Sequence, residues 1–272
     1  MGTGALTGYI DVAQIVLYVF WGFFAALIYY LHRENKREGY PLESERSAHI
    51  KVQGWPPVPK PKTFLLRDGT TFQAPSYDKP EPTYAARPTA NWLGAPIEPV
   101  GDPMKAGVGP GAYAMRADVP DLGFDGAPKI VPLRGDPDHE VAADDPDPRG
   151  KPVIGADGKV AGKVVDLWVD RSEAVFRYME VEVPVPGGTK RVLLPMNFTR
   201  VNYPGGLWDF ATGRIKDRQI QVRVKSLLAS QFADVPTTKH PDRITLLEEE
   251  KIMAYYGAGT LYATAARQEP LI

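Results

Sequence analysis

The sequence of 272 residues contains no cysteine. Disulfide frameworks, thiol nucleophiles, iron–sulfur ligation and cysteine zinc sites are thereby excluded, which suits a reducing compartment. Histidine is scarce. His32, His49, His139 and His240 lie far apart and no H-E-x-x-H occurs, so metal catalysis has no ligand set. The G-x-S-x-G elbow is also missing, and a membrane-anchored hydrolase therefore lacks its nucleophile and base. Net charge is almost nil: 32 basic residues against 33 acidic ones leave −1, which argues against any general affinity for nucleic acid. The glycine-rich stretch from Gly107 to Tyr113 lacks G-x-G-x-x-G spacing, a preceding strand and a following helix, so it is not read as a phosphate loop.

Proline, by contrast, is abundant. The chain has 27, together with 26 glycines, which excludes a helical bundle. One apolar run stands out, VAQIVLYVFWGFFAALIYYL from Val12 to Leu31, in which Gln14 is the only strongly polar side chain. As a helix it spans about 30 Å, the thickness of a bilayer's hydrocarbon core. Tyr29 and Tyr30 fall where an interfacial belt sits. A cleaved secretory signal is disfavoured, because no Lys or Arg precedes the run and HRENKREGY follows it. Arg33, Lys36 and Arg37 after the span place residues 1–11 in the periplasm and everything beyond 12–31 in the cytoplasm.

Thirteen prolines fall between Pro41 and Pro110. Residues 32–110 read as an extended segment laid across another surface, because Phe64, Leu65, Leu66, Phe72, Tyr77, Tyr84 and Trp92 are more apolar anchors than a solvated linker carries. Pairs such as Pro80/Pro82 add stiffness. Within it, Asp68-Gly69 between apolar flanks predicts a short hairpin from Phe64 to Phe72. Residues 111–244 are expected to form a mainly β cytoplasmic domain. Alternating stretches at Lys159–Asp170, Ala174–Val183, Thr189–Met196 and Ile220–Val224, punctuated by Asp157-Gly158 and Gly187-Gly188, predict a small closed antiparallel barrel. In residues 245–272, Thr245-x-x-Glu248 is a capping box opening a helix of about three turns, with Gly257 and Gly259 at its end.

With catalytic motifs absent, the candidate chemistry rests on carboxylates. Six of them, Asp136, Asp138, Glu140, Asp144, Asp145 and Asp147, gather around His139, with Arg149 following; this is a solvated loop or a negative surface that concentrates protons. Asp170, Glu173 and Arg177 lie at the turn between two apolar strands. Burial raises a carboxylate pKa and a guanidinium lowers it, so the cluster is either a structural ion-pair turn or a group poised to pass protons.

Several blocks resemble the H subunit family of the purple bacterial photosynthetic reaction centre: LIYYLHRENKREGYPLE, PKPKTFLL, GDPMKAGVGPGAYAMRADVPD, GKVVDLWVDRSEAVFRYMEVEV and ITLLEEEKIMAYYGAGTLYA, in order along nearly the whole chain. The resemblance implies a single transmembrane α-helix, a PRC-type barrel and a short C-terminal helix. It implies a non-catalytic subunit of the bacterial inner membrane that stabilises the L and M subunits, caps their quinone side and assists proton transfer to the secondary quinone. Antenna proteins, a cytochrome subunit and membrane lipid are further expected partners. Bacteriochlorophyll, bacteriopheophytin, quinones and non-haem iron are expected in the partner subunits and none in this chain. The matched relay positions are Asp170, Glu173 and Arg177, with Glu173 nearest the quinone. Some members carry two histidines just before the Lys-Ile of KIVP, where this chain has Asp125 and Ala127; Asp121, Asp125 and the Asp136–Asp147 loop are expected to supply the proton entrance instead. The competing reading is a membrane-tethered barrel that recruits a cytoplasmic protein without photochemistry.

Overall fold

The computed structural model describes residues 4, 6–7, 10–44, 47–76, 85–92, 94–143, 145–202 and 220–268. Tyr77, Pro80, Pro82, Tyr84 and Asp144, singled out above, lie outside them. The chain divides into two compact units, Met1–Thr83 with Ala90–Pro96, and Tyr84–Thr89 with Ile97–Ile272.

The first unit begins with helix α1, Val12–Asn35. Its N-terminus explains the lone polar residue of the apolar run. Asp11 accepts the Gln14 N–H at 2.7 Å while the Gln14 side chain accepts the Asp11 N–H at 3.3 Å, a reciprocal cap that satisfies two of the helix's free donors. No residue of α1 is buried, and its length and apolar composition suffice to cross a membrane.

Where α1 ends, Lys36 and Arg37 turn away from solvent. Lys36 is only 4% exposed and donates to the carbonyls of Gln53 (2.7 Å) and Pro56 (2.6 Å), with the Tyr40 ring 4.9 Å from its ammonium. Arg37 forks onto Glu34 and reaches the carbonyls of Lys60 (2.8 Å) and Ala74 (2.9 Å). The reason is compositional. Each proline removes an N–H from the chain but keeps its C=O, so a proline-rich segment holds surplus acceptors, and two long cationic side chains supply the missing donors. The segment between is organised by two ladders. Strands β1 (Leu42–Ser44) and β2 (Ser47–Val52) pair, as do β3 (Lys62–Leu65) and β4 (Thr71–Ala74). The latter is the expected hairpin: Phe64 faces Phe72, and Gly69 takes φ +82° in the turn. Trp55, Leu65, Leu66 and Trp92 stay exposed.

The second unit opens with a small ladder, β5 (Ala86–Pro88) on β6 (Ile97–Pro99). Its main sheet comprises β7 (Ile130–Pro132), β8 (Pro152–Ile154), β9 (Val160–Asp170), β10 (Val175–Val185), β11 (Gly188–Pro195), β12 (Thr199–Asn202) and β13 (Gln221–Val224). The order is β11-β10-β9-β8-β13-β12, with β7 also on β9. The predicted strands are all present, but two features of the expected barrel differ. The β8–β13 pair is parallel, since no hairpin turn joins these distant segments and dictates antiparallel pairing. Among the described residues the end strands β11 and β12 do not pair, so the sheet is a half-barrel and not a closed one.

Helix α2, Leu246–Tyr262, carries the capping box as read: Glu248 N–H to Thr245 Oγ1 at 3.2 Å and Thr245 N–H to Glu248 Oε2 at 2.9 Å. It does not stop at the glycines. Gly257 and Gly259 are internal, because a Cβ at the first would sit 2.4 Å from the Pro110 carbonyl oxygen and at the second 2.5 Å from that of Ser226. They are contact glycines that let the helix lie against backbone, and that contact outweighs their poor helix propensity of about 1 kcal/mol each. Tyr256 of α2 packs on Phe198 and Phe232 in a core with Trp168, Leu167, Met179 and Ile252. Each large apolar side chain buried there contributes roughly 1.5–3 kcal/mol.

Candidate functional site

The β9–β10 turn concentrates the charged chemistry. Asp170 ends β9 opposite Val175, leaving Arg171 to Ala174 as the connection. Its Oδ1 accepts the N–H groups of Ser172 (3.0 Å) and Glu173 (3.2 Å), the side-chain-to-backbone bonding by which aspartate builds turns. Ala174 closes the turn at φ +52°, a left-handed conformation that non-glycine residues seldom adopt.

Asp170 is fully buried. Its Oδ2 makes no hydrogen bond among the described residues and instead faces two cations, Lys129 Nζ at 3.4 Å and Arg177 Nε at 3.5 Å. The Arg177 contact depends on a bulge. Phe176 pairs with Val169 and Tyr178 with Trp168, so Arg177 is an extra residue in β10, and bulges of this kind re-aim a side chain. Glu173, with more than half its side chain exposed, lies 3.7 Å from the same Lys129. Lys129 thus stands between a buried carboxylate and a solvated one. Burial works to lower its pKa, but Asp170, then Glu173 and Asp121, hold the ammonium above the ordinary lysine value.

Asp121 and Asp125 join this face through those neighbours. The Asp121 carbonyl accepts the Lys129 N–H at 2.8 Å, and its side chain is exposed. Asp125 Oδ2 is 3.3 Å from Arg171, while its Oδ1 accepts the Ala127 N–H at 3.0 Å. Arg171 also approaches Asp136 at 3.8 Å, and Asp136 in turn holds His139 at 3.0 Å. The acidic loop is therefore split. Asp136, buried, belongs with the turn, whereas Asp147 is committed to Arg149. Asp170 lies near both Glu173, through Lys129, and Arg177; Asp121 joins them through Lys129, while Arg171 ties Asp125 to Asp136.

Two residues and one pair are not evident from the sequence. Lys129 was visible only as the residue before a strand, and Arg171 only as part of the turn. The third is a pair beside Arg177: Tyr178 donates to Glu249 Oε2 at 2.9 Å in a cleft of about 570 Å³ shared with Arg116, Asn197 and Met253. Burial pushes the pKa of Tyr178 up, and the Glu249 charge adds to it. Burial also raises Glu249, against the opposing effects of the Tyr178 hydrogen bond and Arg177.

A second polar cluster lies under the sheet. Glu180, 4% exposed, accepts the Trp168 indole N–H at 3.1 Å and is held by Arg134 and Arg191; Arg134 also binds Asp166 at 2.9 Å. The expected alternation of β10 is present, but at Glu180 its glutamate face is closed to solvent. All partners of this carboxylate are satisfied, which assigns it to structure.

Two family models match the chain. Residues 4–135 match the model described as photosynthetic reaction centre, H-chain N-terminal region, and residues 140–225 match the PRC-barrel domain.

Proposed function

Since the chain belongs to the H-chain family of the photosynthetic reaction centre, we propose that it caps the quinone side of the L and M subunits and hands protons toward the secondary quinone. In this reading α1 is the single membrane span, with the N-terminus periplasmic and everything after α1 cytoplasmic. The chain holds no pigment, quinone or metal of its own and performs no bond chemistry. Bacteriochlorophyll, bacteriopheophytin, quinones and iron belong to L and M, and antenna, cytochrome and lipid contacts lie around them. Trp55, Leu65, Leu66 and Trp92, left exposed by this chain, are surfaces of the kind that partner subunits cover.

One observation carries the proton-transfer reading: Lys129 lies between buried Asp170 and solvated Glu173. Glu173 is open enough to exchange protons with water. Lys129, 3.7 Å from it, ties this carboxylate to the turn. Asp170 orders the turn that presents it and balances the charge of Lys129 and Arg177. Asp125 and Asp121, both exposed, are the carboxylates that in this reading serve a proton entrance lacking the histidine pair.

The test is flash-induced electron transfer in the purified complex. Glu173→Gln should slow the proton-coupled second electron transfer to the quinone, and Asp121→Asn with Asp125→Asn should slow it to a smaller degree. A Glu173→Gln complex indistinguishable from the parent across pH 6 to 9 returns Glu173 to a structural role. Near-infrared pigment absorption that copurifies with the chain in mild detergent separates this reading from a barrel tethered for recruitment alone; a colourless, monodisperse protein favours the tether.

A further inference from the structure

Away from the β9–β10 turn, the surface of β12 and β13 carries a depression of about 390 Å³ built from cations. Arg200 on β12 and Arg223 on β13 occupy directly opposed positions in the antiparallel ladder. Like charges so placed repel, and nothing among the described residues relieves them. Lys225 follows two residues after Arg223 and lines the same depression. All three side chains are exposed, and among the described residues none of them ion-pairs and no carboxylate lines the walls.

A fourth cation is fixed at the rim of this depression. Arg267 donates to the carbonyls of Ser226 (2.9 Å), Gly259 (2.5 Å) and Lys225 (2.8 Å), so its charge is held rigidly in place. Ser226, which also lines the depression, buries a hydroxyl that has no hydrogen-bond partner among the described residues. Positive charge on an edge strand is ordinary protection against aggregation. Two arginines in direct register, a lysine beside them, an immobilised third guanidinium and a concave floor exceed what protection needs.

We propose that this depression is an anion site for a phosphate group, free or carried by a lipid headgroup. Paired guanidinium groups match the oxygens of a tetrahedral phosphate, and an anion bridging Arg200 and Arg223 turns their repulsion into shared attraction. The site is independent of the proton-transfer residues, none of which lines it.

The experiment uses the full-length chain, delipidated in a neutral detergent, titrated calorimetrically with inorganic phosphate and with chloride at matched ionic strength. One saturable phosphate site is expected, with phosphate raising the melting temperature. In Arg200→Gln/Arg223→Gln the affinity should fall by at least about tenfold and the thermal shift should vanish; Lys225→Gln should weaken binding by about threefold. Without phosphate the double variant should melt no lower than the parent, because the opposed charges are gone. Phosphatidylglycerol in the micelles identifies the source: displacement of bound phosphate indicates a headgroup ligand, and no displacement indicates a soluble phosphate. The site is overturned by the absence of saturable binding, by chloride binding equally well, or by equal affinity in parent and double variant.

Discussion

The Tyr178 hydroxyl donates to Glu249 across 2.9 Å, joining strand β10 to helix α2. Burial raises the Glu249 pKa above its unfolded value, with the Tyr178 bond opposing the rise. Stability from this group is therefore full below the unfolded carboxylate range and is lost as pH rises through the folded pKa. Glu249→Gln, which removes the titration but keeps an acceptor, should gain stability relative to the parent as pH goes from 4 to 8. Tyr178→Phe should cost about 1 kcal/mol at neutral pH and move the Glu249 titration further up. Thermal unfolding over that pH range checks both, and a stability difference between the parent and Glu249→Gln that does not widen with pH refutes the linkage.

Asp170 and Glu173 should separate stability from kinetics. Asp170→Asn removes the charge that balances Lys129 and Arg177 in a buried position, and a loss of about 2–3 kcal/mol is expected. Glu173→Gln removes one exposed contact, for which less than about 1 kcal/mol is expected. Urea unfolding of the two variants beside their electron-transfer rates should show the larger stability defect in one and a kinetic defect without it in the other.

For the cluster under the sheet, removing one partner is worse than removing the network. Arg134→Ala leaves the buried Glu180 carboxylate with less compensation and should destabilise by about 3 kcal/mol. Joint replacement of Arg134 and Glu180 by methionine and leucine should cost less than Arg134→Ala alone. A double variant as unstable as the single would show that Trp168 and Arg191 depend on the carboxylate more than the geometry indicates.

Alanine at Gly257 or Gly259 tests the packing of α2. Propensity alone predicts a gain of about 1 kcal/mol. The backbone oxygens of Pro110 and Ser226 stand where the new methyl would go, and overpacking of this kind costs about 1–3 kcal/mol, so a net loss is expected at both positions. A rise in melting temperature for either variant would contradict the close approach.

What could be read from the sequence follows from what is local. The capping box of Thr245 and Glu248, the Asp68-Gly69 hairpin and the alternating strands depend on residues a few positions apart, and all are present. The glycines of α2 were misread because a helix stop and a helix contact look alike until Pro110 and Ser226 are in place. Asp170, Glu173 and Arg177 could be grouped from sequence because the turn is short. Lys129 was not, since it reaches Asp170 only through β7 pairing with β9. The two arginines of β12 and β13 oppose each other only once register is known. The flanking cations of α1 are legible in sequence only as charge, whereas Lys36 and Arg37 serve as donors to a chain rich in orphan carbonyls.

The contact glycines also set an order of events during synthesis. Gly259 lies against the residues that immediately follow β13, and Gly257 against Pro110, which the ribosome releases well over a hundred residues earlier. The carbonyl of Pro110 thus waits for a surface that is synthesised long after it. Until Tyr256 has left the exit tunnel, Phe198 and Phe232 lack it and the core stays open. A nascent chain stalled before Tyr256 therefore leaves the apolar faces of Phe198 and Phe232 without their aromatic partner.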